Sequence, residues 1–208
     1  MHKVGGTPNR SARRPTVDLA ELEREQRRRW RQQAQAMATQ LKERRARVVA
    51  YHEAGHAIVA AFLGLVPEQI GLEVATHFDA GAVVTPANLS ASRTKRAIVL
   101  AAGGLAEERA SGVAARGTGS DEAQIGNLGL SPRTEAAARR RAGQLVANLW
   151  PFIHALVPVL LEYRHLAGET AIFMALEGVF GAEEAARRSE LVPLSQGFER
   201  DTTTGSVN

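Results

Sequence analysis

Two histidines that flank a glutamate are the strongest chemical signal in the chain. Residues 52–56 read His-Glu-Ala-Gly-His, and positions i and i+4 of a helix lie on one face, one turn apart. Two imidazoles at that spacing can bind one zinc ion from the same side, and Glu53 can reach the open coordination position. The pattern therefore predicts His52 and His56 as metal ligands and Glu53 as the base that activates a zinc-bound water.

The residues around this motif favour a buried site over a chance match on a surface helix. The flanks, residues 48–50 and 58–63, are apolar, so we expect the helix to be largely buried. Buried histidines and a buried glutamate require partners, which a shared metal ion would supply. Gly55 costs about 1 kcal/mol relative to alanine in a helix interior. We therefore expect another segment to approach the helix closely at Gly55.

The motif by itself supplies only two of the three protein ligands that a catalytic zinc usually has. The chain has no cysteine, which excludes thiolate ligands and disulfides and leaves His, Asp or Glu for the third position. By its place in the sequence, Asp121 reads as an ordinary first-turn residue of a helix capped by Ser120. Spacing does not choose among the candidates, which are His77, Asp79, Glu107, Glu108, Asp121, Glu122, His154 and His165.

The charge of the chain is unevenly distributed. Residues 1–48 carry 13 Lys/Arg and 5 Asp/Glu, which gives +8, whereas residues 49–208 carry 13 and 17, which gives −4. Residues 1–15 have the composition of a disordered basic tail, and from Asp18 to Arg47 no Pro or Gly interrupts a helical pattern. This arm has a narrow apolar stripe, with Trp30 as its packing anchor, that could dock on the rest of the chain or pair with a second copy. The stripe consists of Trp30, Ala34, Met37, Leu41 and Val48.

The arginines of the arm allow a contact with nucleic acid or an acidic partner. Four glutamates partly balance them, which favours a solvated helix face instead. We interpret the run Arg139–Arg141 in the same way. The arginines of the arm are Arg27, Arg28, Arg29, Arg31, Arg44, Arg45 and Arg47, and the glutamates that partly balance them are Glu21, Glu23, Glu25 and Glu43.

The remaining pattern is mainly helical, with one short β segment. The most apolar stretch, residues 145–161, is shorter than the roughly 20 residues of a spanning helix and contains two prolines, so we interpret it as buried core helices. Residues 1–15 contain no apolar signal segment. The predicted elements are helices over 46–63, from Ser90 or Ser92 to 111, over 134–149, from Pro151 with a kink at Pro158, over 170–178 and over 182–190, with a β-hairpin from strands 71–76 and 81–86 and a glycine-rich loop over 112–119.

Three segments of the chain resemble the FtsH-type (M41) zinc metallopeptidases. VAYHEAGHAIVAAFLGLVP (49–67) is similar to that family's active-site helix, AAGGLAEERASG (101–112) to its GGRxAEE-type helix, and GTGSDEA (117–123) to its TGAxxD segment. The resemblance covers about residues 46–175 and is weaker after Asp121.

The resemblance implies a third ligand. In that family the aspartate of TGAxxD binds the zinc ion, and Asp121 stands at that position. The resemblance also implies that Glu107 and Glu108, at the AEE pair, support the site by holding a ligand or a histidine N–H. Glu107 is the alternative third ligand.

The implied fold is mainly α with a small β-hairpin or sheet, an HExxH zincin-like helical peptidase domain. It would occupy residues 46–194, between a basic tail with a helical arm (1–45) and a flexible C-terminal tail (195–208). FtsH proteins carry transmembrane helices and an AAA+ ATPase module, and we find neither here. Arg116 stands where the family has the threonine of TGAxxD, and Gly126, Gly129 and Pro132 interrupt the family's following helix.

We therefore expect a cytoplasmic zinc metalloendopeptidase, without a membrane span, that hydrolyses unfolded or specifically presented protein segments. Two alternatives remain. One is a catalytically silent zinc-binding or interaction module on the same scaffold. The other is a regulatory protein that binds nucleic acid through its basic arm. A homo-oligomer or a separate partner could use the N-terminal helix.

Overall fold

The computed structural model describes residues 19–65, 67–72, 91–115 and 119–191, which are mainly helical with one small sheet. This agrees with the mainly-α fold that the sequence predicts. The chain divides into two compact units, Met1–Lys42 and Glu43–Asn208. The elements are α1 (Leu19–Phe62), β1 (Gln69–Gly71), α2 (Arg93–Ser111), α3 (Gly119–Asn127), α4 (Pro132–Asn148), α5 (Trp150–Tyr163), β2 (His165–Ala167), α6 (Gly168–Phe180) and α7 (Ala182–Leu191).

The described part of the first unit consists of the N-terminal portion of α1. Its charged residues pair along the helix: Arg27 with Glu23 at 3.0 Å, and Arg29 with Glu25 at 3.0 Å. Such i,i+4 pairs are typical of a solvated helix face. Trp30 is 71% exposed, and its role as the packing anchor of the arm stays a prediction.

The C-terminal end of α1 follows from Gly64. Its φ of 74° lies in the left-handed region, which glycine adopts without strain. The amide of Leu65 donates to the carbonyl of Ala60 at 2.8 Å, and that of Gly64 to Ala61 at 3.0 Å, as in a Schellman motif. Thus α1 ends at the predicted glycine.

The small sheet differs from the predicted hairpin. β1 pairs antiparallel with β2, and Ile70, which is fully buried, stands opposite Leu166. Most of the predicted hairpin lies in residues 73–86, outside the described residues. The observed pairing joins segments about a hundred positions apart in sequence, a contact that local alternation of residue types does not encode.

The helices after the sheet begin and end where local signals place them. Ser92 caps α2 by accepting a hydrogen bond from the amide of Lys95, and Ser131 caps α4, whose first residue is Pro132. The break between α3 and α4 contains Gly129 with φ 62°. The predicted interruption after Asp121 is therefore confirmed. Helix α3 starts at Gly119, so Ser120 lies inside the helix rather than at its cap.

The apolar stretch at 145–161 forms the end of α4 and most of α5, which begins with Pro151 in its first turn and continues past Pro158. Its inward-facing residues are buried in one core with α1, α2 and α6; they are Leu145, Val146, Ile153, Leu156, Val157 and Leu160. Within the described ranges no single helix has the length and apolarity to cross a membrane. By length and apolarity alone, the pair formed by α4 and α5, which is bent by 75°, could cross one.

Candidate metal centre

Helices α1 and α2 meet at a glycine. A Cβ atom added to Gly55 would lie 2.7 Å from the Cβ of Ala106 and 2.8 Å from the carbonyl oxygen of Ala102. Both distances are shorter than van der Waals contact, so only glycine allows this approach. The predicted close contact at Gly55 is thus confirmed, and it brings the face of α1 that carries His52 and His56 against α2.

Five ionisable side chains are buried at this contact and at the start of α3. Their residues are 3–8% exposed, and they are the buried polar and charged residues of the described part of the chain: His52, Glu53, His56, Glu107 and Asp121. Burying charged groups is costly unless they pair with one another or bind a metal ion. Because all five lie together, they indicate a site at which these groups pair with one another or bind a metal ion.

The orientation of His56 is fixed by a backbone carbonyl. Its Nδ1 lies 2.8 Å from the carbonyl oxygen of Val99 on α2. A carbonyl can only accept, so Nδ1 of His56 carries the proton and donates it. When the ring is neutral, the lone pair lies on Nε2, which faces His52 and Asp121.

A carboxylate fixes His52 in the same way. Its Nδ1 lies 3.1 Å from Oε2 of Glu107, so this nitrogen donates to the carboxylate and Nε2 becomes the ligand atom. A carboxylate behind a metal-binding imidazole fixes the ring orientation and raises its basicity. Glu107 therefore contacts the ring nitrogen of His52 that is not the potential ligand atom.

The three potential ligand atoms form a compact triangle. Nε2 of His52 lies 3.0 Å from Nε2 of His56 and 3.0 Å from Oδ2 of Asp121, and the third side of the triangle is 3.2 Å. Metal–ligand bonds of about 2.1 Å place ligand atoms about 3.0 Å apart in octahedral geometry and about 3.4 Å apart in tetrahedral geometry. The observed distances fall within that interval. The group His52, His56 and Asp121 could therefore hold a metal ion.

Gly103 makes room for one ligand. A Cβ atom at this position would lie 2.3 Å from Nε2 of His56 and 2.5 Å from its Cε1. The imidazole thus packs directly on the backbone of α2. Any larger residue at position 103 would displace the ring from the triangle.

The electrostatics of the cluster favour a cation. Burial by itself disfavours the charged imidazolium, but hydrogen bonds with Asp121 and Glu107 outweigh this effect and raise the pKa of His52 to about 10. Burial likewise disfavours the Asp121 carboxylate, yet the hydrogen bonds from His52 and His56 hold its pKa well below the usual range. In the metal-free protein a proton therefore remains on His52 at neutral pH, and a metal ion must displace it.

Glu53 lies beside these ligands without being one of them. It is 3% exposed, and its charge contributes to the raised pKa of His52. Among the described residues, three side chains form the candidate ligand group. A metal with three protein ligands keeps a coordination position for water or substrate, and Glu53 is the neighbouring carboxylate that could accept a proton there.

The other residues considered as ligands lie elsewhere. Glu108 is exposed on α2, and Glu122 pairs with Arg139 on α4. Nδ1 of His154 lies 2.6 Å from the hydroxyl of Tyr51. His165 is exposed in β2. The structure therefore does not bring Glu108 to the cluster together with Glu107, and His77 and Asp79 lie outside the described residues.

Several contributors to the site were not recognised from the sequence. The Val99 carbonyl carries no sequence signal, because every residue has one. Gly103 did carry a signal, since a Gly-Gly pair inside a helix is unfavourable and needs a reason. Arg139 is partly exposed and Arg140 and Arg141 are exposed, in agreement with the predicted solvated face, but the sequence did not predict the partners of Arg139. Its guanidinium contacts the carboxylates of Glu122 and Glu135.

No protein-family model matches the chain, and a search of curated proteins finds no match. The geometry of the cluster and the chemistry of its residues are therefore what indicate a function.

Proposed function

We propose that this chain is a zinc metallopeptidase that hydrolyses unfolded or presented protein segments. The observation that carries the proposal is the triangle of His52, His56 and Asp121 with Glu53 buried beside it. A structural metal site would normally have four protein ligands, whereas three ligands and an adjacent carboxylate are typical of hydrolytic zinc sites. The resemblance of residues 49–67 to the active-site helix of M41 peptidases supports the same reaction.

Each residue has a distinct task in the proposed reaction. His52, His56 and Asp121 would hold the zinc ion, which when bound would polarise the scissile carbonyl and lower the pKa of the attacking water. Glu53 would accept the proton from that water and then pass it to the leaving amine. Glu107 would keep the His52 ring oriented with Nε2 towards the zinc ion.

The donors, two imidazoles and one carboxylate, suit zinc. The buried carboxylate of Glu53 favours zinc further, because a hydrolytic zinc site requires a base beside its ligands. Two histidines and one carboxylate also suit ferrous iron. Metal analysis of the purified protein separates these metals, and we expect one zinc per chain.

Cleavage by a matched pair of proteins tests the proposal. Wild type and Glu53→Gln would be loaded with equal zinc and incubated with an unfolded protein substrate. We expect cleavage by wild type and a rate at least about a hundredfold lower for the variant, because general base catalysis contributes about 10²–10⁴-fold. Equal zinc content excludes loss of metal as the cause. If neither protein cuts the substrate while both hold zinc, the chain is the catalytically silent module instead.

A further inference from the structure

Helix α3 is short and buries two of its side chains. It is nine residues long, and its buried residues are Asp121 and Ile125. A helix of this length is marginal by itself, and one apolar side chain fixes it only loosely. The Asp121 carboxylate contacts His52 and His56, but a helix this short needs a further connection to the rest of the second unit to fix its orientation.

That connection is made by Arg139 on α4. Its Nη1 lies 2.8 Å from Oε1 of Glu122, and its Nη2 lies 2.5 Å from Oε2. Two parallel bonds from a planar guanidinium to one carboxylate fix orientation as well as distance. Glu122 directly follows Asp121, so the bidentate pair holds the first turn of α3.

The guanidinium is itself held in place. Glu135, one turn earlier on α4, accepts from Nε of Arg139 at 3.0 Å and from Nη2 at 2.8 Å. All three guanidinium nitrogens thus contact the two carboxylates. This leaves the side chain little rotational freedom and makes it a rigid link between the two helices.

We propose that Arg139 is a positioning residue for the metal centre, which acts through Glu122 to place Asp121 at bonding distance from the metal. The inference rests on the metal-binding part of the proposed function and is independent of peptidase activity. Metal sites tolerate errors of only about 0.2 Å in ligand distance. A pair with this degree of exposure, 38% for Arg139 and 48% for Glu122, contributes little to global stability. Its effect should therefore appear in metal affinity rather than in folding.

The test measures the zinc dissociation constant by competition with a chromogenic chelator. Arg139→Gln should bind zinc about tenfold more weakly than wild type, the lower end of the range for residues that support metal ligands. The neighbouring exposed arginine offers a matched control, and Arg140→Gln should bind zinc within twofold of wild type. The midpoint of denaturant unfolding of each metal-free protein should stay that of wild type.

A double-mutant cycle separates this role from a general structural effect. Glu122→Gln should weaken zinc binding as much as Arg139→Gln, and the double variant should lose no more than either one. The proposal would be overturned if Arg139→Gln bound zinc with wild-type affinity. It would also be overturned if the double variant lost affinity by the product of the two single losses. If Arg139→Gln does not fold, wild-type affinity in Glu122→Gln would likewise overturn it. If wild type binds zinc but cuts no substrate, the proposed peptidase activity is refuted, whereas the positioning role of Arg139 is unaffected.

Discussion

Replacing Gly103 with alanine tests the geometry of the cluster with a single methyl group. The new Cβ would lie 2.3 Å from Nε2 of His56, 2.5 Å from Cε1 and 2.8 Å from Cδ2. The ring cannot retreat without losing its hydrogen bond to the carbonyl of Val99. We therefore expect Gly103→Ala to remove His56 from the ligand set while leaving every ligand residue in the chain.

A thermal unfolding assay measures this loss as a smaller zinc-dependent shift in Tm. Zinc at a hundred times its dissociation constant would stabilise wild type by about 2.7 kcal/mol, which raises Tm by roughly 5–11 °C in a chain of this length. Perturbing a residue that merely supports a metal ligand costs 10–100-fold in affinity, so losing a ligand should cost at least about a hundredfold. At the same zinc concentration the variant would then gain about 0.4 kcal/mol or less.

Gly143→Ala is the matched control. It lies inside α4, and an added Cβ would have no atom within 4 Å. Alanine should stabilise that helix by up to about 1 kcal/mol and leave the zinc-dependent shift unchanged. A zinc-dependent Tm shift of wild-type size in Gly103→Ala would refute the contact between Gly103 and His56 and the ligand role of that histidine.

Three further predictions concern the same helices. Glu107→Gln should weaken zinc binding about 10–100-fold, because a neutral amide supports His52 less than a carboxylate does; unchanged affinity in a chelator titration would contradict the role of Glu107. Gly55→Ala should lower the free energy of unfolding despite its better helix propensity, because its Cβ would lie 2.7 Å from that of Ala106; a more stable variant in urea unfolding would contradict the close approach of α1 and α2. In metal-free protein, the raised pKa of His52 should contribute stability that is complete below pH 6.5 and lost as pH rises towards about 10. The lowered pKa of Asp121 should contribute stability that is present above pH 3.8 and lost as pH falls. Stability relative to His52→Gln should therefore be greatest between about pH 4 and 6.5, and an advantage that grows above pH 6.5 would contradict the ion pair.

Local signals predicted much of the fold because they act within a few residues. Ser92 caps α2, Gly64 ends α1, and Pro132 opens α4 after a break, each through hydrogen bonds or backbone angles that the residue type itself determines. The pairing of β1 with β2 could not be predicted in this way. It depends on where α5 returns the chain, and that is a property of the packed core.

The parts of the site that depend on local spacing could be predicted, and those that depend on contacts between helices could not. The spacing of His52 and His56 places two imidazoles on one face of any helix, so the sequence alone predicts them as a pair. Their tautomers could not be predicted, since these depend on Glu107 and on the carbonyl of Val99, which a different helix supplies. The partner of Arg139 could not be predicted for a similar reason. A run of three arginines favours an exposed face, which the structure agrees with, but Glu122 lies on another helix.

The central claim is that hydrolysis depends on a metal ion held by this cluster. The most direct measurement titrates zinc into metal-free protein and records the initial rate of cleavage of an unfolded substrate. We predict a rate that rises linearly and saturates at one zinc per chain, with no such rise for Glu53→Gln. A cleavage rate that does not depend on zinc, or an absence of cleavage at full zinc occupancy, would contradict the claim.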